Sequence, residues 1–257
     1  MVAAAALEQG IGTDRTFSCG GSVQGGGLTI GCETGGEEGH GQLDFQEAFA
    51  QSCNSYFIQL GQEVGADRIA AMAKRFHLGE RAMKDYPQES KGHVMTKEER
   101  QGAAIGNLSI GQGEMLTTPV QIARMTGIIA TGGIDRGVHI LMEEEAGEEH
   151  VISQDIAREI GGMMESVVSR GTASGLDLTE EDGAPAAAVK TGTAEYGEKE
   201  EGRTHGWITG YTPCEEPEYV ITVLAEGGSG SEAAGPIYQK ILHYLRQSGS
   251  YSRPTLA

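Results

Sequence analysis

Ala186-Ala187-Ala188-Val189-Lys190-Thr191-Gly192-Thr193-Ala194-Glu195 is the stretch on which the reading of this chain turns. It begins as a run of small apolar residues, suited to a buried strand, and ends in Lys, Thr and Gly. Two more β-type runs follow, at 205–211 and 219–225, and the segments between them, 196–204 and 212–218, suit the turns of an antiparallel meander. Upstream the period is helical. Thr118 and Pro119 read as N-cap and first-turn residue of a helix over 120–130. Asp44, with Glu47 three residues on, reads as a capping box opening a helix that breaks near Ser52–Asn54 and resumes. Ile69, Met72, Ala73 and Phe76 mark a helix over 65–78, Ser153 caps one running to 166, and residues 236–245 read as a closing helix. Residues 137–142 read as a short strand, and residues 11–44 as an irregular, tightly turned segment. Helices first, strands next and a helix last predict an α+β fold, an antiparallel β-sheet flanked by helices.

Composition bounds what such a domain can do. The chain has 257 residues, 38% of them hydrophobic, enough to bury a sizeable core. Its net charge is −18, from 19 Lys and Arg against 37 Asp and Glu. That excess repels nucleic acid and anionic membrane surfaces, and no basic stripe interrupts it. No apolar run approaches the length of a membrane span, and the start lacks the charged and long apolar regions of a signal peptide. Residues 4–9 are good helix formers with no N-cap before them. The acidic runs Glu143–Glu145 and Glu198–Glu201 read as solvated loop tips.

Two short motifs carry chemistry. Lys190-Thr191-Gly192-Thr193 places a cation and two hydroxyls beside a glycine on a strand. Such a group can hold a carboxylate, let a substrate backbone approach at Gly192, and aim a backbone N–H at a developing oxyanion. Ser52-Cys53-Asn54, at a break between helices, sets a hydroxyl and an amide side by side. Each motif alone is a weak signal. Ser-x-Asn followed 136 residues later by Lys-Thr-Gly-Thr resembles the penicillin-recognising serine acyl-enzymes. The segment from Ser109 to Arg124, containing Gly111-Gln112-Gly113, is similar to penicillin-binding protein transpeptidase domains, as are residues 167–173, 188–195 and 205–213. The resemblance spans about residues 1–245 and points to the class B, monofunctional members, with the elongation type one candidate subclass.

That resemblance implies a β-lactamase/transpeptidase-like fold for the whole of 1–257. It implies a peptidoglycan D,D-transpeptidase that binds D-Ala-D-Ala stem peptides and β-lactams through acyl-serine chemistry. Ser52 would shuttle a proton, Asn54 would bond the acyl side of the substrate, and Lys190 would anchor the site and link to Ser52. Thr191 and Thr193 would bind the terminal carboxylate, beside Gly192, with the Thr193 N–H in the oxyanion hole. No organic cofactor is implied. The parent protein would work outside the cytoplasmic membrane with other cell-wall synthesis proteins.

One departure counts against activity. The family's nucleophile lies in Ser-x-x-Lys, and no lysine here has serine three residues before it. In the family that motif precedes a short apolar helix, which residues 1–10 resemble. The expectation is a domain that begins just past the motif and cannot form an acyl-enzyme. The alternative is a non-catalytic module that senses β-lactams or cell-wall peptides. A class A β-lactamase is discounted, because such enzymes need Glu-x-x-x-Asn and the residues four before Asn54 and Asn107 are Ala50 and Ala103.

Residues 11–54 hold Cys19, Cys32, His40 and Cys53, a complete tetrahedral zinc set with loose spacing. Some elongation-type members carry zinc beside the active site, and the positions of His40 and Cys53 look similar. A Cys19–Cys32 disulfide and four reduced thiols stand as the other readings. Cys214 reads as a free thiol. His205 reads as a polar strand residue that could line the cleft.

Overall fold

The computed structural model describes residues 1–83, 86–102, 104–141, 147–197 and 202–248. α1 (Val2–Glu8) is followed by β1 (Phe17–Cys19), β2 (Ser22–Gly25), β3 (Leu28–Gly31) and β4 (Gly41–Leu43). Five helices come next: α2 (Phe45–Ala50), α3 (Asn54–Val64), α4 (Ala66–Arg75), α5 (Ala104–Ser109) and α6 (Pro119–Ala130). β5 (Ile134–Asp135) and β6 (Glu149–His150) pair briefly before α7 (Gln154–Arg170). β7 (Ala188–Glu195), β8 (Thr204–Thr212) and β9 (Tyr219–Glu226) make the main sheet, and α8 (Gly235–Gln247) follows it.

The main sheet is an antiparallel meander in the order β7-β8-β9, so among the described residues β7 keeps a free edge. Lys190 pairs with Thr209 and Gly192 with Trp207. α6 and α7 cover one face. The Thr209 hydroxyl meets those of Thr126 on α6 and Thr222 on β9 at 2.8 and 2.6 Å, and Tyr211 reaches Gly161 on α7. α8 covers the other face, where Tyr238 sits over Gly210. α1 lies among α3, α4 and α7, and Val2 to Ala6 are all buried. The N-terminal run of alanines therefore lets several helices approach closely. An aromatic group of Phe17, Phe45, Phe49, Tyr56 and Phe57 fills the space between β1, α2 and α3, with neighbouring ring centroids 5.1–6.1 Å apart. The α+β layout read from the sequence is the one observed.

Some local readings need correction. Residues 11–44 are not irregular throughout: β1 pairs with β4, and β2 with β3. Gly26 and Gly27, at φ of 63° and 101°, form the two-residue turn between β2 and β3, a conformation that suits glycine. Residues 137–141 form no strand, because the Asp135 carboxylate accepts the Gly137 N–H at 3.0 Å and turns the chain. The proposed strand's last residue, Met142, and the acidic runs Glu143–Glu145 and Glu198–Glu201 lie outside the described residues. α7 runs four residues beyond Ser166, to Arg170, with Val167 and Val168 buried. α5 had no counterpart in the sequence reading: it is one turn and a half, and Gly106 within it abuts Gly25.

The π-helical turn Gly230–Ala234 lies against β7 and β8. A Cβ on Gly230 would come within 2.4 Å of the Trp207 carbonyl oxygen and 2.6 Å of that of Gly192. Gly230→Ala is expected to cost about 1–3 kcal/mol. Calorimetry should show the thermal midpoint falling by roughly 2–4 °C per kcal/mol for a chain of this size.

Candidate active site

The site forms where the α2–α3 junction meets the free edge of β7. α2 ends in a Schellman motif: the Cys53 N–H bonds the Ala48 carbonyl at 2.9 Å and the Ser52 N–H that of Phe49 at 3.2 Å. This puts Ser52 in the left-handed region, at φ 55°, where glycine is usual. A non-glycine residue held there carries strain of a kind found at functional positions. Cys53 then caps α3, its sulfur accepting the Tyr56 N–H at 3.4 Å. Asn54 opens α3, and its amide donates to the Gly31 carbonyl at 3.2 Å, toward the Cys/His segment.

Lys190 reaches down from β7 to this junction. Its ammonium donates to Ser52 Oγ at 2.9 Å and to the Thr191 carbonyl at 2.8 Å, and lies 5.7 Å from the centre of the Phe49 ring. Burial disfavours the charged form and brings Lys190 down to about 8. Thr191 is buried, and its hydroxyl bonds that of Thr172, just past α7. The Thr193 hydroxyl accepts the Gly230 N–H at 3.3 Å. Gln112 donates to the Thr193 carbonyl at 2.8 Å from outside the sheet. A strand residue's N–H and C=O point to the same edge, so the Thr193 N–H also faces the open side. A Cβ on Gly192 would meet only Trp207 Cβ, at 3.6 Å. The arrangement offers an anion one ammonium, two hydroxyls and an outward N–H. Gln112 and Thr172 lie in stretches quoted for their resemblance, yet only the fold brings them against Thr193 and Thr191.

Cys19, Cys32, His40 and Cys53 come together behind the same junction, their ligand atoms within 4.8 Å of one another. All three cysteines are free, so the Cys19–Cys32 disulfide reading is corrected. Cys32 Sγ is 3.7 Å from Cys53 Sγ and 3.6 Å from His40 Nδ1. A tetrahedral zinc with ordinary Zn–S and Zn–N bonds needs edges of about 3.8 and about 3.5 Å. The contact between the two sulfurs lowers the Cys32 thiol well below its ordinary value and pushes Cys53 up. His40 Nε2 is buried with no hydrogen-bond partner. This donor set fits a zinc ion. Elsewhere, Cys214 donates to the Pro185 carbonyl at 3.2 Å, and burial raises it to about 12. His205 stacks on Tyr196 with ring centroids 4.0 Å apart.

Comparison with known proteins finds relatives in sequence and in fold. A family model described as "Penicillin binding protein transpeptidase domain" matches residues 1–243. A curated relative, "Peptidoglycan D,D-transpeptidase MrdA" of Haemophilus influenzae, is 28% identical, with 81% of this chain and 37% of the relative covered. Penicillin binding protein 3 from Mycobacterium tuberculosis, solved in complex with aztreonam, superposes with TM-score 0.80 at 26% identity, covering 98% of this chain and 62% of that one. Penicillin-binding protein PBP2 from Helicobacter pylori, solved in complex with MreC, gives 0.85 at 26% identity, covering 97% of this chain and 48% of that one. The chain spans about two fifths of the length of the curated relatives it matches.

The depressed Lys190 makes stability depend on pH. Its ordinary value is 10.5, so between pH 8 and 10.5 the unfolded chain holds a proton that the folded chain has released. Its contribution to stability is therefore smallest below pH 8 and rises through this window. Raising the pH from 7.5 to 10 should move the urea midpoint of the unaltered chain upward relative to that of Lys190→Met. Equal shifts would place the titration elsewhere.

Proposed function

The chain belongs to the penicillin-binding protein transpeptidase domain family, and from that premise we propose that it carries the substrate-binding and proton-relay groups of a peptidoglycan D,D-transpeptidase. Its ligands are stem peptides ending in D-Ala-D-Ala, and β-lactams. The reading rests above all on the 2.9 Å contact between Lys190 Nζ and Ser52 Oγ, which joins two motifs 138 residues apart. The relative named as a D,D-transpeptidase and the neighbour solved with aztreonam support it.

In this reading the terminal carboxylate lies against Thr191 and Thr193, in the field of Lys190. The Thr193 N–H faces the carbonyl oxygen that gains charge during attack. Gly192 leaves room for the substrate backbone beside β7. Asn54 bonds the acyl side with the part of its amide that Gly31 does not use. Ser52 passes a proton between the attacking hydroxyl and the leaving amine. Lys190 aids this relay because, at about 8, roughly a tenth of it is neutral at pH 7. No Ser-x-x-Lys occurs in these 257 residues, so the acylated serine is not among them.

Cys19, Cys32, His40 and Cys53 would hold one structural zinc. Such an ion, when bound, would tie Cys19, Cys32 and His40 to Cys53 and so steady the turn that presents Ser52. Residues 1–257 act as one domain, with 11–54 a segment within it. We place the parent protein on the outer face of the cytoplasmic membrane, in cell-shape and elongation work. The Helicobacter pylori neighbour solved with MreC supports a cell-wall protein as partner. Among the described residues no helix is long and apolar enough to cross a membrane.

Intact-protein mass after incubation with benzylpenicillin tests the reading. No adduct is expected, while spectral changes on adding the antibiotic should saturate and centre on Lys190 and Thr193. An adduct on Ser52 would make that residue the nucleophile and overturn its relay role. Metal analysis should find one zinc per chain, lost in Cys32→Ser. A chelator should lower the thermal midpoint of the unaltered chain and leave that of Cys32→Ser unchanged.

A further inference from the structure

Thr172 lies outside both motifs, yet it touches the two halves of the site. Its backbone N–H donates to the Ala50 carbonyl at 3.1 Å, two residues before Ser52. The preceding residue, Gly171, is pressed so close that a Cβ there would lie 2.2 Å from the same oxygen. Gln51 adds a bond from its amide to the Arg170 carbonyl at 3.1 Å. The C-terminal end of α7 is thus fastened to the C-terminal end of α2. From this fixed point the Thr172 hydroxyl bonds that of Thr191.

The hydrogen count decides what the pair can do. Each threonine hydroxyl has one hydrogen to give and can accept two. Two hydroxyls in mutual contact share one of their two hydrogens. If Thr191 gives its hydrogen to Thr172, it presents only lone pairs to the cleft and repels a carboxylate. If Thr172 gives, Thr191 Oγ1 is satisfied as acceptor and its own hydrogen is free for an anion. Polarisation along the pair then strengthens the outer bond. Resting on the carboxylate site proposed above, we propose that Thr172 is a positioning residue for anion recognition: its hydroxyl donates to Thr191 Oγ1 and directs the Thr191 hydrogen to the carboxylate of the bound peptide or β-lactam.

The inference makes Thr172 matter for the carboxylate and for no other part of the ligand. The probes are N-acetyl-D-Ala-D-Ala and its C-terminal carboxamide, titrated by NMR into this chain and its variants. The measured quantity is the ratio of the two affinities within each protein, so a general change in stability cancels. The unaltered chain is expected to prefer the acid. Thr172→Val, which keeps the shape and removes the hydroxyl, should reduce that preference by about tenfold. Thr172→Ser should restore it to within about twofold, and Thr172→Ala takes the place of the valine variant if that fails to fold. Thr191→Val, which removes the donor itself, should lose at least as much, and the double variant no more than Thr191→Val.

If Thr172→Val keeps the acid preference while Thr191→Val loses it, the inference falls and the carboxylate site stands. Equal weakening of acid and amide in Thr172→Val would make the residue a general support and likewise overturn the inference. An unaltered chain that does not distinguish the acid from the amide would overturn the carboxylate site and this inference together.

Discussion

The site depends on one left-handed turn. Ser52 adopts φ 55° because the chain passes from α2 to α3 within the three residues Gln51, Ser52 and Cys53. The two Schellman bonds hold it there, and the aromatic packing of Phe45, Phe49, Tyr56 and Phe57 supports both helices. That turn sets the Ser52 hydroxyl under Lys190, and the next residue, Cys53, is at once the cap of α3 and part of the Cys/His cluster. A shift of this junction would disturb the lysine contact, the helix cap and the cluster together.

The free edge of β7 is the second constraint. An unpaired strand edge usually invites another strand. Here side chains occupy it: Gln112 takes the Thr193 carbonyl and Lys190 that of Thr191. The edge is thereby kept polar and partly satisfied while the Thr193 N–H stays outward. Lys190 is also a partly buried cation in a chain of net charge −18. The acidity of the whole does not set the chemistry of the cleft, because screening confines surface charges while a desolvated ammonium acts at short range.

Motifs of local origin were legible and those of distant origin were not. The capping boxes at Asp44 and Thr118 are written in neighbouring residues, and both form. The three strands of the sheet were visible as apolar runs broken by polar turns. The β2–β3 hairpin left a signal in Gly25-Gly26-Gly27 between two short β-type runs, masked by the general abundance of glycine. α5 left none: six residues are too few for a period, and it owes its existence to packing on α3 and β2. At 137–141 an aspartate carboxylate overrode β propensity, a contact that propensity does not include.

The sequence by itself determined the fold class, the two motifs, the presence of Cys19, Cys32, His40 and Cys53 in one segment, and the absence of Ser-x-x-Lys. These are properties of residue type, order and period. Only the tertiary structure decided which groups meet. It put Lys190 on Ser52, Gln112 and Gly230 on Thr193, Thr172 on Thr191, and the cysteine sulfurs at non-bonded distances around His40. The reason is physical: hydrogen bonds and metal geometry are fixed to tenths of an ångström, and residues far apart along the chain reach that precision only when the packed core has fixed every element between them.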